Sequence, residues 1–347
     1  MLGRCYKAEL SKLLKGKGIY VALAVMVVLI AFFAIMSSIL FGSVDIGGMI
    51  EGDMLETIRT MPREQYDTAI QTLEAQLDMI RMEHNSVGNR FSDPEGQLIT
   101  YISMLKFFQS HEEVNVSTVI IPMMGLASLG QDAMSFMMNA IELAMEIAVI
   151  YAVIMMATLL AGSMHDGTLR MELLRPNARH AVLSAKWLAV FTVSMALMIV
   201  GTIISSVYAV LRFGAPHGEV LYVIANTNVG VMSEYTYLLV LFLFGIMSLV
   251  AIMMFSMFMC TISRYNRAVS MALPIVVLMI GGTSAYLLQV VYLGVLDFTY
   301  SIALRQFIAP MGTFIPHTSL YTALPVLIVY TVLFAVLSHI RFNRTEL

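Results

Sequence analysis

Long apolar runs, separated by short polar stretches, dominate the chain. A helix that crosses a bilayer needs about 20 mostly apolar residues. Six segments reach that length: Gly18–Phe41, Ile141–Met164, Trp187–Leu211, Tyr235–Thr261, Ala268–Leu293 and Leu320–Phe342. The first run exceeds the roughly 7–15 residues of a signal-peptide core and has no clear small-x-small site after it, so it reads as a retained span. Ahead of it, in residues 1–17, Leu2, Tyr6, Leu10, Leu13 and Leu14 recur at helical spacing with lysines between them. That pattern predicts a basic amphipathic helix lying in the membrane interface.

Between the first two spans, residues 42–140 have helical patterning of their own. Tyr66, Ile70, Leu73, Leu77 and Ile80 step by 4, 3, 4 and 3, which predicts a helix entered at Pro62. Asn85, Gly88 and Asn89 break it. A second helix is expected from Asp93 as N-cap and Pro94, with Leu98, Tyr101, Ile102, Leu105 and Phe108 on one face. The two are expected to form an antiparallel hairpin, either a small domain with its own core or a substrate gate or partner-docking module. Val114–Ile121 is β-branched and predicts a strand or an extended return. Residues 297–318, broken by Pro310, Gly312 and Pro316, predict a re-entrant or interfacial segment. The expected fold is an all-α polytopic membrane protein with six transmembrane helices, an N-terminal interfacial helix and a mainly helical ectodomain.

Composition narrows the function classes. Of 347 residues, 59% are hydrophobic and 12% charged, with a mean hydropathy of +0.82. A soluble domain carries about 25% charged residues, so a soluble enzyme is excluded. The net charge of −3 excludes a general nucleic-acid binder. Thirteen lysines and arginines fall in the N-terminal segment, the loops after spans 2 and 4, and the C-terminal tail. The short loops opposite hold only Arg212 and Arg305. That bias places both termini in the cytoplasm and residues 42–140, with a net charge of −9, outside. Cys5 and Cys260 then both lie on the cytoplasmic side, where thiols stay reduced.

Catalytic signatures are missing. The sequence has no GxxxxGK[ST], HExxH, GxSxG or strand-to-helix GxGxxG motif. Its seven histidines fall on opposite sides of the membrane, so no shared metal site is expected. The chain is expected neither to be an enzyme nor to hydrolyse ATP alone.

The loop of residues 165–186 after span 2 carries the most information. Gly167 should break the span, Thr168 can cap a short helix, Leu169, Leu173 and Leu174 give that helix an apolar face, and Pro176 ends it. Arg179 and Lys186 mark the entry to span 3. Such a helix can insert into a groove on a partner or lie against lipid headgroups. The run Asp166, Gly167, Thr168, Leu169, Arg170, then Leu173, Leu174, Arg175, Pro176, Arg179 and Lys186 resembles the cytoplasmic loop of type-2 ABC transporter permeases. Ser163 stands where that family usually has glutamate, and Ala178 where it often has serine.

The resemblance implies a permease subunit in a bacterial cell membrane, paired with a second copy or a sister permease and with two copies of a separate cytoplasmic ATPase. The loop would be the coupling helix. ATP and magnesium would sit on the ATPase, leaving no cofactor in this chain. The family exports peptides, antibiotics, lipids, polysaccharides or ions.

Glu142 and Glu146 lie one turn apart near the outer end of span 2. Either they are solvated helix surface, or they line an outer vestibule that favours cationic substrates. The chain's 30 methionines are spread through every span and read as adaptable packing. Two competing functions remain: a secondary transporter, for which charge in spans 3 to 6 is too sparse, and a transmembrane transmitter that senses through the ectodomain.

Overall fold

The computed structural model describes residues 2–41, 58, 60–84, 94–115, 119–120, 133–173, 179–263, 266–280, 296–308 and 318–344. Among them are α1 (Leu2–Lys15), α2 (Lys17–Phe41), α3 (Tyr66–His84), α4 (Pro94–Ser110), β1 (Val119–Ile120) and α5 (Ala133–Ala157). Then follow α6 (Thr168–Leu173), α7 (Arg179–Phe213), β2 (Glu219–Ile224), β3 (Asn228–Ser233), α8 (Glu234–Ile262), α9 (Arg267–Ile280), α10 (Phe298–Ile302) and α11 (Leu320–Arg344).

Among the described residues, four helices are long and apolar enough to cross a membrane: Ala133–His165, His180–Phe213, Glu234–Ile262 and Leu320–Arg344. A bent pair, α1 with α2, adds a fifth candidate. The protein is therefore a membrane-embedded helical protein. The expected fifth span begins as α9, but its second half, residues 281–293, lies outside the described residues.

The helices overrun the predicted spans. The 33 residues of Ala133–His165 reach about 50 Å, well beyond a hydrocarbon core of about 30 Å. The last eight residues assigned to the ectodomain, 133–140, thus belong to the span-2 helix. A π-turn at Thr158–Gly162 interrupts that helix before its final turn, Ser163–His165. Arg267, at the start of α9, donates to Thr158 Oγ1 there (3.4 Å).

At the N-terminus, α1 and α2 meet at Gly16 with a bend of 56°. The buried stripe of α1 differs from the predicted one. Tyr6, Glu9, Leu10 and Leu13 face the bundle, whereas Leu2 and Leu14 are exposed. Tyr6 pairs its hydroxyl with Thr192 Oγ1 on α7 (3.1 Å).

The hairpin of α3 and α4 is as predicted. Arg81 pairs with Glu95 near the connection (2.8 Å), Glu74 with Lys106 further along (2.7 Å), and Asp67 with Gln109 at the far end (2.7 Å). That ladder is antiparallel. The expected break at Asn85, Gly88 and Asn89 and the Asp93 cap lie outside the described residues, as do Pro310, Gly312 and Pro316.

The helical architecture is accompanied by a small sheet in the order β1-β2-β3. Of the stretch Val114–Ile121, expected to be a strand or an extended return, Val119–Ile120 form β1, which pairs parallel to β2, while β2 and β3 form an antiparallel hairpin between α7 and α8. The chain reverses through Ala225 and Asn226, both left-handed (φ 54° and 62°). Asparagine tolerates that region, and alanine carries a cost of about 1 kcal/mol. Gly230 lies opposite Tyr222, whose ring occupies the space that a Cβ at Gly230 would need.

Alternation along β2 places its two faces in different cores. Leu221 and Val223 pack with Tyr66, Ile70, Leu98 and Phe108 of the α3–α4 hairpin. Val220 packs the other way, with Met134 and Met138 of α5 and Tyr237 and Leu241 of α8. The helical hairpin therefore does not make its core alone, but borrows Leu221 and Val223 of β2, with Val229 and Val231 of β3, from the connection between α7 and α8. Leu221→Ala should cost about 3 kcal/mol by opening a cavity at a fully buried site. Amide exchange in α3 and α4 should accelerate while α8 stays protected; unchanged exchange in α3 would mean the two cores are independent.

Candidate functional site

The loop after the span-2 helix is fixed by short-range bonds. Gly167 adopts φ 72°, which ends the helix at low steric cost. The Gly167 amide donates to the Met164 carbonyl (3.2 Å), and the Asp166 amide to that of Gly162 (3.0 Å). Thr168 does not cap α6 as expected. Its hydroxyl donates backwards to the Ser163 carbonyl (3.0 Å), tying the start of α6 to the end of the span.

The apolar face of α6 is also not wholly free for a partner. Leu169 is fully buried in the bundle core. Among the described side chains of α6, Met171 is apolar and exposed (63%). Leu174, Arg175 and Pro176 lie outside the described residues, as do the side chains of Arg170, Leu173 and Arg179. His165 and Asp166 are exposed and in contact with each other (3.4 Å).

Lys186 proves to be more than the marker of a span entry. Its side chain is 1% exposed, and its ammonium donates to Glu9 Oε1 of α1 (2.9 Å) and pairs with Glu172 Oε2 of α6 (3.1 Å). Lys12 completes a ring, reaching Glu9 Oε1 (3.2 Å) and Glu172 Oε1 (3.1 Å). Each of the four charges touches two of opposite sign, and the ring is neutral.

Such alternation repays some of the desolvation that a buried ion incurs. It joins three segments: the N-terminal helix α1, the loop helix α6 and the foot of α7. Burial opposes ionisation of Glu172, but Lys186 and Lys12 outweigh it and hold its carboxyl below the ordinary value. Burial likewise works against the Lys12 ammonium, but Glu9 and Glu172 outweigh it and leave its pKa above the usual lysine value.

Sequence reasoning missed Glu9, Lys12 and Glu172 as functional positions. One signal was available: Glu9 falls three residues after Tyr6 and four before Leu13, inside the apolar stripe.

The second site lies toward the sheet end of the bundle. A cavity of about 430 Å³ opens between α5, α8, α9 and the α10 segment. Glu142 and Glu146 both line it, on one stripe of α5 with Met138, Ile141, Met145 and Val149. From Glu146 to His165 the helix climbs about 30 Å, so Glu146 sits one hydrocarbon thickness from the loop. Glu142 is half-buried and engaged within the protein. Glu146 is exposed at the open side of the cavity, with no hydrogen bond or ion pair to it among the described residues. Ser248 and Gln306, which the sequence alone did not single out, add polar atoms to the wall; Ser248 donates to the Ile302 carbonyl (2.6 Å). Among the described residues no group of His, Cys, Asp and Glu could hold a metal ion.

A membrane-embedded helical bundle with a clamped loop helix at one end and an apolar cavity near the other is the class these features define. The chain belongs to the family described as "Protein of unknown function (DUF2705)", which matches residues 98–347. No curated protein and no solved structure matches the chain.

Lys186→Met should leave Glu9 and Glu172 to share Lys12 alone, with one uncompensated negative charge in the ring, and cost about 3 kcal/mol. The Glu172 carboxyl is held down, so its contribution is present above its unfolded pKa and lost as pH falls through the lower folded value. The Lys12 contribution is present below its unfolded pKa and lost as pH rises through the raised folded value. A spin label at Met171 should therefore be immobile at neutral pH and loosen below the ordinary carboxylate range. In Lys186→Met it should be loose at neutral pH as well.

Proposed function

We infer that the chain is the membrane-spanning permease subunit of an ABC exporter, with six spans and both termini in the cytoplasm. A second permease would complete the pathway, and a separate cytoplasmic ATPase would drive export of a peptide, antibiotic or lipid. The observation that carries this inference is the loop helix α6, clamped through Glu172 to α1 and α7 while Met171 stays exposed. Transmission of a nucleotide cycle requires a contact element that cannot swivel freely. A push on α6 would pass through Leu169 into the bundle core and through Lys186 into α7. The Gly-Thr-Leu-Arg run and the later Pro176, Arg179 and Lys186 support the same reading.

One observation favours a transmitter instead. β2 shares side chains with both the α3–α4 domain and the bundle, so a ligand on that domain could act on the spans without transport. The two readings differ at α6. Met171→Asp places a charge in the proposed ATPase contact and leaves buried Leu169 intact. It should abolish copurification of the ATPase and its stimulation while the permease remains folded. Retained docking would assign α6 to the membrane interface and favour the transmitter.

A further inference from the structure

The cavity beside Glu146 has a composition that selects a ligand. Twenty of the described residues line it; two of these are acidic, and none of these is basic. Most of its wall is hydrocarbon and thioether, from residues such as Met145, Leu241, Phe244 and Ile275. Its open side runs between α5 and α9, where Ile150 (44%) and Met279 (82%) are exposed. A carboxylate at the mouth of such a cavity is costly against lipid unless a cation or a watered cavity faces it. Glu142 is already engaged within the protein, which leaves Glu146 as the carboxylate that a guest would meet.

We propose that this cavity is a binding site for a lipophilic organic cation of drug size. The apolar body lies against the methionine and aliphatic walls, and the positive centre stands beside Glu146. The volume of about 430 Å³ falls within the range of small-molecule sites and is too small for a folded peptide. Entry is lateral, from the bilayer, between α5 and α9. Neutral lipophiles gain nothing from Glu146, and anions are repelled. Taken as the cargo site, the cavity rests on the permease reading proposed above; taken as a binding site, it does not.

The test uses the full chain in lipid nanodiscs without any ATPase. Tetraphenylphosphonium and tetraphenylborate share a shape and differ in sign, and uptake by empty nanodiscs is subtracted. Saturable uptake of the phosphonium is expected, with binding of the borate weaker by about tenfold or more. Glu146→Gln should weaken phosphonium binding by about tenfold, and Glu146→Asp should keep it. Ala303→Trp, which fills the cavity from the α10 segment, should remove it, with melting temperature and size-exclusion profile checking that the chain still folds. Equal uptake of both ions, or unchanged binding in Glu146→Gln, overturns the proposal. So does an absence of saturable uptake in which Glu146→Gln changes only the oligomeric state, which would assign the open side to a second copy of the chain. Saturable cation binding by a chain that recruits no ATPase would keep the site and remove the export role; recruitment with equal uptake would do the reverse.

Discussion

A lysine ammonium withdrawn from water must find anions, and Lys186 finds one on each of two other segments. Everything at that end of the bundle follows from this requirement. α1 has to lie against α7 so that Glu9 reaches the amine, and α6 has to turn back so that Glu172 does. Gly167 makes the turn possible by adopting a backbone conformation that residues with a Cβ resist. Lys12 then neutralises the second charge on the ring. Replacing all four by apolar side chains could give comparable stability, since buried ion pairs rarely exceed well-packed hydrocarbon. What ions add is geometry, because each group accepts only a few directions of approach.

At the other end, one strand does comparable work with apolar contacts. β2 has a face in each of two cores, so the α3–α4 domain is seated on the first turns of α5 and α8. Met138 and Leu241, which receive Val220, also line the cavity. Displacement of the domain would thus reach the cavity wall within one layer of side chains. The charge ring and the sheet bracket α5, the helix that links the loop, the π-turn and the cavity.

Periodicity made much of the fold legible. The four long apolar helices, the N-terminal helix and the hairpin of α3 and α4 follow from apolar spacing, and Pro94 opens α4 as expected. Three features were not legible, each for a physical reason. The hairpin of β2 and β3 lies between two long apolar helices, and its six-residue strands lack a strong turn signal because Ala225 occupies a left-handed position. The buried faces of α1 and α6 could not be told from their exposed ones, because Glu9 and Leu169 are buried by partners distant in sequence. Lys186 looked like a flanking charge because its partners lie 177 residues upstream and 14 residues upstream. Glu142 and Glu146 were recognised as candidates, but only the packing of α8 and α9 against α5 shows the cavity they share.

As proposed above, α6 is held rigid so that a nucleotide-hydrolysing partner can grasp it. The most direct measurement places a photo-crosslinking amino acid at Met171, an exposed apolar side chain of that helix, and identifies by mass spectrometry what it captures in intact cells. The account predicts a soluble ATPase with a phosphate-binding loop, captured at Met171 and lost when Lys186 is replaced by methionine. Capture of lipid alone, or of this chain alone, would contradict it.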